Sequence, residues 1–480
     1  MSNTAFVSTA IPYVNAKPHV GFAFELVQAD AVARYLRLIG RDCFFLTGTD
    51  ENSLKNVRAA AEEGLTTREL CDRNTEFFKA LLPGLNISNT EFIRTSSELH
   101  TRGAQELWSR TKPEDIYKKH YSGLYCVGCE DFYSEKEAED GKCPEHKTPL
   151  EHVEEENYFF RLSSYEEKLL ELIESDRMRI VPASKRNETL SFIRGGLLDF
   201  SISRSRKRAG DWGIPVPGDA DQVMYVWYDA LANYLTALEL TDNSERLKKY
   251  WLECDKRIHC IGKGINRFHT VYWPAILMSV ELPAPTEVFI HGYLTMNGQK
   301  ISKSLGNVID PLVQVEHFGV EAVRYFLLRA ISPFEDGDYS ESRFHDVFNA
   351  DLANNLGNLA RRIETIGEKA GHVPKPAATP EAPEGYHEAM EDYRFHDAMA
   401  ALWAVATNLN QRIEKVKPWA LQKEGKKDEL AVFLDEMIAG LGIIGHWLTP
   451  FMPGTAERLQ SMFKEGKAIK RGDPLFPRLK

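Results

Sequence analysis

Three short stretches of this chain carry residue types that can do chemistry. The first is Pro18-His19-Val20-Gly21, where a strand reads as turning into a helix. A histidine beside a glycine at a helix N-terminus lets a phosphate approach the backbone, which suits a nucleoside triphosphate; a histidine at such a turn also serves as a simple structural residue. The second is Lys300-Ile301-Ser302-Lys303-Ser304, followed by Leu305-Gly306-Asn307, just past a predicted hairpin. Two lysines flanking small hydroxyl residues make a cationic clamp that can stabilise charge on a transferring phosphoryl group and its pyrophosphate leaving group. The plainer alternative is a solvated basic loop. The third is Cys126-x-x-Cys129 followed by Cys143-x-x-His146. Those ligand types at that spacing suit one tetrahedral structural Zn2+, with all four positions filled and none open for catalysis. His152 is an alternative fourth ligand, but the spacing from Cys143 favours His146.

The elements that must position these residues follow from periodicity. Residues 5–11 read as a buried strand, and apolar positions from Val20 to about Ile39 recur at helical spacing, with Gly40 as a cap. Residues 43–46 read as a second strand. Strand, helix and strand within about forty residues make a βαβ unit, whose binding crevice lies at the strand C-terminal ends, the edge on which His19 and Asp50 fall. Strands are expected at 223–227 and 258–261, each leading into a helix, and a hairpin at 287–301 around Asn297-Gly298. The irregular span 116–222 reads as an insertion. Beyond about 345 amphipathic helical stretches dominate (351–370, 388–416, 428–448), interrupted by a Pro/Ala-rich loop at 373–385. The expected fold class is therefore α/β plus all-α. A split Rossmann-type domain (1–115 and 223–325) carries a zinc-knuckle insertion (116–222). A connecting segment (326–350) then leads to an α-helical bundle (351–480).

Composition sets the outer limits. With 480 residues, 43% of them hydrophobic, the chain can bury more than one core. Seven cysteines, an odd number, argue against a disulfide framework, and Cys43, Cys71, Cys254 and Cys260 read as small core residues. No apolar run of transmembrane length and no signal peptide are read, so a cytoplasmic protein away from the membrane is expected. The net charge of −11 does not favour nucleic acid, and Arg204, Arg206, Lys207, Arg208 and the Arg361–Arg362 pair read as solvated faces.

Taken together, the histidine-glycine turn and the lysine clamp resemble the paired HIGH and KMSKS signatures of class I aminoacyl-tRNA synthetases. The surrounding blocks, among them STAIPYVNAKPHVG, FLTGTDEN, WGIPVPGDADQVMYVWYDAL, IGKGINRFHTVYWPAILM and VFIHGYLTMNGQKISKSLGNVIDP, resemble the methionyl-tRNA synthetase family over nearly the whole chain. The type with a single zinc knuckle and no C-terminal appendix is the nearest in pattern. The resemblance implies attachment of L-methionine to tRNA(Met) through a methionyl-adenylate formed from ATP with Mg2+. It makes His19, Lys300 and Lys303 catalytic, and puts Pro18, Gly21, Gly262, His291 and Ser302 with them around ATP. It places methionine among Ile11, Tyr13, Asp50, Trp227, Leu231, Tyr234, Ile265, Phe268, His269 and Trp273. Anticodon contacts to CAU fall to Asn358, Arg362 and Trp447. Lacking the appended tRNA-binding domain through which many relatives dimerise, the chain is expected to be a monomer. Departures cluster at the nucleotide. Phe22 replaces the second histidine of HIGH, Asp-Glu-His-Gly becomes Asp50-Glu51-Asn52-Ser53, and Gly-Lys-Asp becomes Gly262-Lys263-Gly264. They motivate an alternative, a divergent paralogue that binds tRNA or forms an adenylate without normal charging.

Overall fold

The computed structural model describes residues 3–128, 131–133, 138, 140–144, 147–296, 298–301, 307–375 and 379–479. The chain divides into two compact units, neither continuous in sequence. The first comprises residues 1–18, 40–83 and 88–291, and the second 19–39, 84–87 and 292–480.

At the centre of the first unit is a six-stranded sheet built from β1 (Thr4–Thr9), β2 (Asp42–Thr49), β3 (Glu91–Arg94), β4 (Arg179–Val181), β5 (Lys256–Gly262) and β6 (Glu287–His291). Its order is β3-β2-β1-β5-β6-β4, with every neighbouring pair parallel. All six residues of β1 are buried, as a strand covered on both faces requires. The sheet reverses direction of growth between β1 and β5, so a crevice opens beyond their C-terminal ends. Edge strand β4 comes from within the 116–222 span, so that span is not wholly an insertion: part of it returns to the main sheet. The rest combines helices Glu166–Glu174 and Ala183–Arg194 with antiparallel strands, Ile116–Cys126 pairing along Glu151–Phe160 and a smaller sheet joining Ser203–Ser205, Asp219–Met224 and Pro215–Val216.

Two local expectations change. The 223–227 strand ends at Met224, and Val226–Leu231 is helical, which turns Trp227 into a helix residue. The 287–296 strand divides in two: β6 stops at His291, and Leu294–Met296 starts a separate sheet with Gln299–Lys300 and Gly337–Tyr339. Gly292 makes the break, because a side chain there would run into the Glu335 carbonyl.

The second unit holds helix α1 (Val20–Leu38) and the C-terminal helices. The 388–416 stretch breaks at Tyr393, whose φ is +57°, into Tyr386–Glu391 and Phe395–Val416. Helix Lys427–Trp447 is, contrary to expectation, long and apolar enough to cross a membrane. It buries Leu430, Phe433, Leu434, Met437, Leu441 and Ile444 within the bundle, as a core helix does.

Candidate active site

The first unit assembles the predicted amino-acid residues at the crevice. Beyond β1 and β2, Tyr13 and Asp50 pair in parallel, and the Asp50 amide donates to the Pro12 carbonyl at 2.8 Å. Asp50 is 2% exposed and receives the Asn52 amide on Oδ1 at 3.2 Å. Its neighbour Glu51 anchors the loop. The Glu51 carboxylate accepts from Arg94 Nε at 2.7 Å and Arg94 Nη2 at 3.0 Å, from Thr75 at 2.7 Å, from Thr49 at 2.9 Å and from Ser96. Burial works to raise its pKa, but the hydrogen bonds from Arg94, Ser96 and Thr75 outweigh this and leave it below the ordinary value.

Helix Val226–Leu231 supplies Trp227 and Leu231, the next turn Tyr234, and the segment after β5 supplies Ile265, Phe268, His269 and Trp273. The Trp227 and Phe268 rings stack at 3.8 Å between centroids. The buried Trp227 Nε1 has no hydrogen-bond partner among the described residues, an arrangement that calls for explanation by a ligand. His269 Nδ1 lies 3.0 Å from the Ile265 carbonyl, which can only accept. Nδ1 therefore carries the proton, and Tyr234 Oη donates to Nε2 at 2.7 Å. By the same reasoning Trp273 Nε1 donates to His259 Nε2 at 3.2 Å, and His259 Nδ1 donates to Ser8 Oγ at 2.7 Å. Burial lowers His269 to about 4 and takes His259 well below its usual value, with the neighbouring His269 adding to the latter. Both imidazoles are neutral at pH 7. Aromatic faces with fixed, uncharged polar tips suit an unbranched, polarisable thioether, and the buried Asp50 carboxylate suits an ammonium group.

Two of the altered positions, Asn52 and Ser53, have local roles. Asn52 Nδ2 donates to Asp229 Oδ2 at 2.7 Å, and His100 Nε2 holds Asp229 Oδ1 at 2.6 Å, tying the Trp227 helix to the Asp50 loop. Ser53 caps the following helix by accepting from the Lys55 amide. Arg204 is a correction: it is buried, not solvated. Its Nη1 donates to Ser201 Oγ and the Ser203 carbonyl, and its guanidinium lies 4.0 Å from the Tyr225 ring centroid. With Arg208, Tyr125, Trp212 and Asn52 it lines a cavity that sequence reasoning missed. The alternation in Ser201-Ile202-Ser203-Arg204 was the available signal.

The nucleotide motifs fall mainly in the second unit. His19 is the N-cap of α1, and its Nδ1 accepts from the Gly21 amide at 3.0 Å. The neutral ring therefore carries its proton on Nε2, the state needed to donate to a phosphate oxygen. A Cβ on Gly21 would stand 2.7 Å from His19 Cε1, so a side chain there would displace the His19 ring. The Val20 amide donates to the Ile309 carbonyl at 3.0 Å, joining the histidine turn to the segment after the lysine clamp. Ile301 is buried; Ser302, Lys303 and the Lys300 side chain lie outside the described residues. Gly262 and His291 end β5 and β6 in the first unit, and Pro18 is the last residue before its break.

Of the zinc ligands, Cys129 and His146 lie outside the described residues. Cys126 ends its strand and Cys143 sits in a tight turn closed by Cys143 N to Thr148 O and Lys147 N to Cys143 O, both 2.8 Å. Cys143 is fully buried although Lys142 and Lys147 beside it are exposed. His152 lies in the long strand pair, near Ser122 Oγ, and is exposed. Among the described residues no three ligands cluster.

In the bundle, exposed Asn358 begins helix Asn358–Ala370, and Arg362 reaches Glu414 at 2.6 Å. Trp447 is not placed to stack on a base. It is 7% exposed, its Nε1 donates to the Pro380 carbonyl, and Tyr386 and His387 pack against its ring. Trp419, just beyond Glu414, is 49% exposed. The Lys-Pro-Trp sequence, which starts a helix on Pro418 and turns the next side chain outward, was the overlooked signal.

The parallel sheet with its switch-point crevice and the histidine-glycine turn at the start of α1 are the features expected of a class I aminoacyl-tRNA synthetase. The family model described as tRNA synthetases class I (M) matches residues 5–149 and 146–364. The chain belongs to the methionine–tRNA ligase family. It is 46% identical to the methionine–tRNA ligase of Brucella suis over 474 residues, covering 95% of this chain and 90% of that one. To the Thermotoga maritima methionine–tRNA ligase it is 42% identical, covering 99% of this chain and 80% of the relative. The solved structure of Mycobacterium tuberculosis methionyl-tRNA synthetase in complex with methionyl-adenylate superposes with a TM-score of 0.91 at 39% identity, covering 100% of both chains.

Proposed function

We propose that this chain activates L-methionine with ATP and transfers it to tRNA(Met). The observation that carries the reading is the neutral aromatic cluster of Trp227, Tyr234, Phe268 and His269, which the Asn52–Asp229 hydrogen bond ties to the loop of buried Asp50. The methionine carboxylate attacks the α-phosphorus of ATP, the bond to pyrophosphate breaks, and methionyl-adenylate forms. Asp50 holds the ammonium group and the aromatic residues enclose the thioether. His19 Nε2 and the lysines Lys300 and Lys303 stabilise the phosphoryl transfer, so catalysis is positioning plus electrostatics. Pro18, Gly21, Gly262, His291 and Ser302 complete the ATP contacts. ATP enters as its Mg2+ complex, the metal supplying charge neutralisation on the phosphates. The 2′-hydroxyl of the terminal tRNA adenosine then attacks the adenylate carbonyl and releases AMP.

The thiols of Cys126 and Cys143 fit a soft structural cation, and with Cys129 and His146 they would hold one Zn2+ that fastens the insertion. For anticodon reading we assign Asn358, Arg362 and, in place of Trp447, the exposed Trp419 as the stacking platform. ATP and tRNA meet in the cytoplasm, where we place the protein. The five sequence segments remain the proposed domain division, with Arg179–Val181 returned from the 116–222 insertion to the main sheet. The non-charging paralogue is not adopted, since the relatives covered over nearly the whole chain are methionine–tRNA ligases and Asn52 is absorbed into a hydrogen bond with Asp229; Phe22 and Gly264 have no structural explanation.

ATP–pyrophosphate exchange by purified protein, against a panel of amino acids, tests the reading. Exchange dependent on methionine alone is expected. Folded protein that exchanges with no amino acid would restore the paralogue.

A further inference from the structure

The second unit contains an ion pair for which the chemistry above has no use. Asp30 and Arg324 are both 0% exposed, and Arg324 Nη2 lies 2.7 Å from Asp30 Oδ2. Arg34, one helical turn on, donates its Nε to the same oxygen at 2.7 Å. The Arg324 fork engages more than Asp30. Its Nε donates to the Phe451 carbonyl at 2.8 Å, Nη1 to the Leu85 carbonyl at 3.0 Å and Nη2 to the Pro450 carbonyl at 3.0 Å. One guanidinium thus joins helix α1, the 84–87 segment and the corner between helices Lys427–Trp447 and Pro453–Met462. A buried pair is poor value as a stabiliser, because desolvation offsets most of its attraction. It is, however, a directional clamp: the planar fork fixes the rotation and axial position of whatever it holds.

What it holds is the helix whose first turn carries His19. The axial position of α1 sets the Val20 amide to Ile309 carbonyl bond, and with it the place of the turn in which the Gly21 amide caps His19 Nδ1. We propose that Asp30 and Arg324 are positioning residues for methionine activation, holding α1 in the register that keeps His19 aligned for phosphoryl transfer. This rests on the activation reading above. The methionine pocket belongs to the other unit, so loosening the clamp should reach turnover before it reaches methionine affinity. A misplacement of about 1 Å can cost about a hundredfold in rate.

The test compares Asp30→Asn and Arg324→Lys with the wild-type chain in methionine-dependent ATP–pyrophosphate exchange, well below each protein's thermal transition. Both variants are expected to lose at least about tenfold in kcat, with KM for methionine within about twofold of wild type. Arg324→Lys is the sharper probe: it keeps a buried cation opposite Asp30 but cannot reproduce the fork. A pair that serves only to neutralise buried charge would leave the lysine variant at full activity, and that result overturns the proposal. So would a parallel loss of kcat and methionine affinity, or failure of both variants to fold, each of which assigns the pair to stability alone. If only Asp30→Asn fails to fold, the lysine variant decides. Absence of exchange in the wild-type chain is a separate outcome, and it removes the activation reading on which this inference stands.

Discussion

Lowering the pH should expose the neutral histidine at the heart of the pocket. Burial takes His269 from 6.5 to about 4. Below 6.5 the unfolded chain takes up a proton that the folded pocket refuses, so the folded state loses stability as pH falls, until the folded value is passed. At 1.36 kcal/mol per pKa unit the full loss is about 3 kcal/mol, and about 2 kcal/mol of it has accrued by pH 5. Replacing His269 by Gln keeps an acceptor and a donor in the cavity but removes the titration. Urea unfolding of both proteins at pH 7 and pH 5, followed by tryptophan fluorescence, measures the difference; His259 is common to both, and because burial rather than the neighbouring His269 is the larger cause of its lowered pKa, most of its contribution cancels. The wild-type chain should lose about 2 kcal/mol more than His269→Gln over that interval. Equal losses would mean that the imidazole is not held neutral, and the tautomers assigned to His269 and Tyr234 would fall with it.

Two further outcomes bear on the tRNA and metal assignments. Trp419→Ala should weaken tRNA binding by about 1–3 kcal/mol, the usual contribution of a base stacked on an aromatic ring, whereas Trp447→Ala should act on thermal stability through lost packing at about 3–5 kcal/mol. A tRNA titration beside a melting curve separates them, and the reverse pattern would restore Trp447. Elemental analysis should find one zinc per chain and none in Cys143→Ser, with unchanged zinc in that variant counting against the proposed knuckle.

Legibility differed between regions for physical reasons. The β1–α1–β2 unit could be read almost to its ends, because a strand buried on both faces is uniformly apolar and the helix repeats at 3.6 residues. The long pair Ile116–Cys126 and Glu151–Phe160 was not legible: the first strand carries Lys118, Lys119 and His120, the second His152 and Glu151, Glu154, Glu155 and Glu156, and most of their residues reach solvent. Strand β4 is three residues long and owes its place to a partner more than a hundred residues away. The amino-acid pocket was visible because its residues sit in long motif blocks. Trp447 was misjudged because two tryptophans near helix ends look alike until burial separates them. Arg204 was misjudged because an arginine inside a run of basic residues looks solvated whatever it touches.

The order of synthesis gives the Asp30–Arg324 pair a temporal meaning. Helix α1 leaves the ribosome early, yet its charge partner Arg324 and the Ile309 carbonyl are made well past the midpoint of the chain, and the Pro450–Phe451 corner near its end. At about 5–20 residues per second the helix waits roughly 15–60 s for Arg324 alone. During that interval a mostly apolar helix carries an aspartate whose buried counter-charge does not yet exist. On the role proposed for the pair, the His19 turn gains its clamp only after the bundle corner has been synthesised.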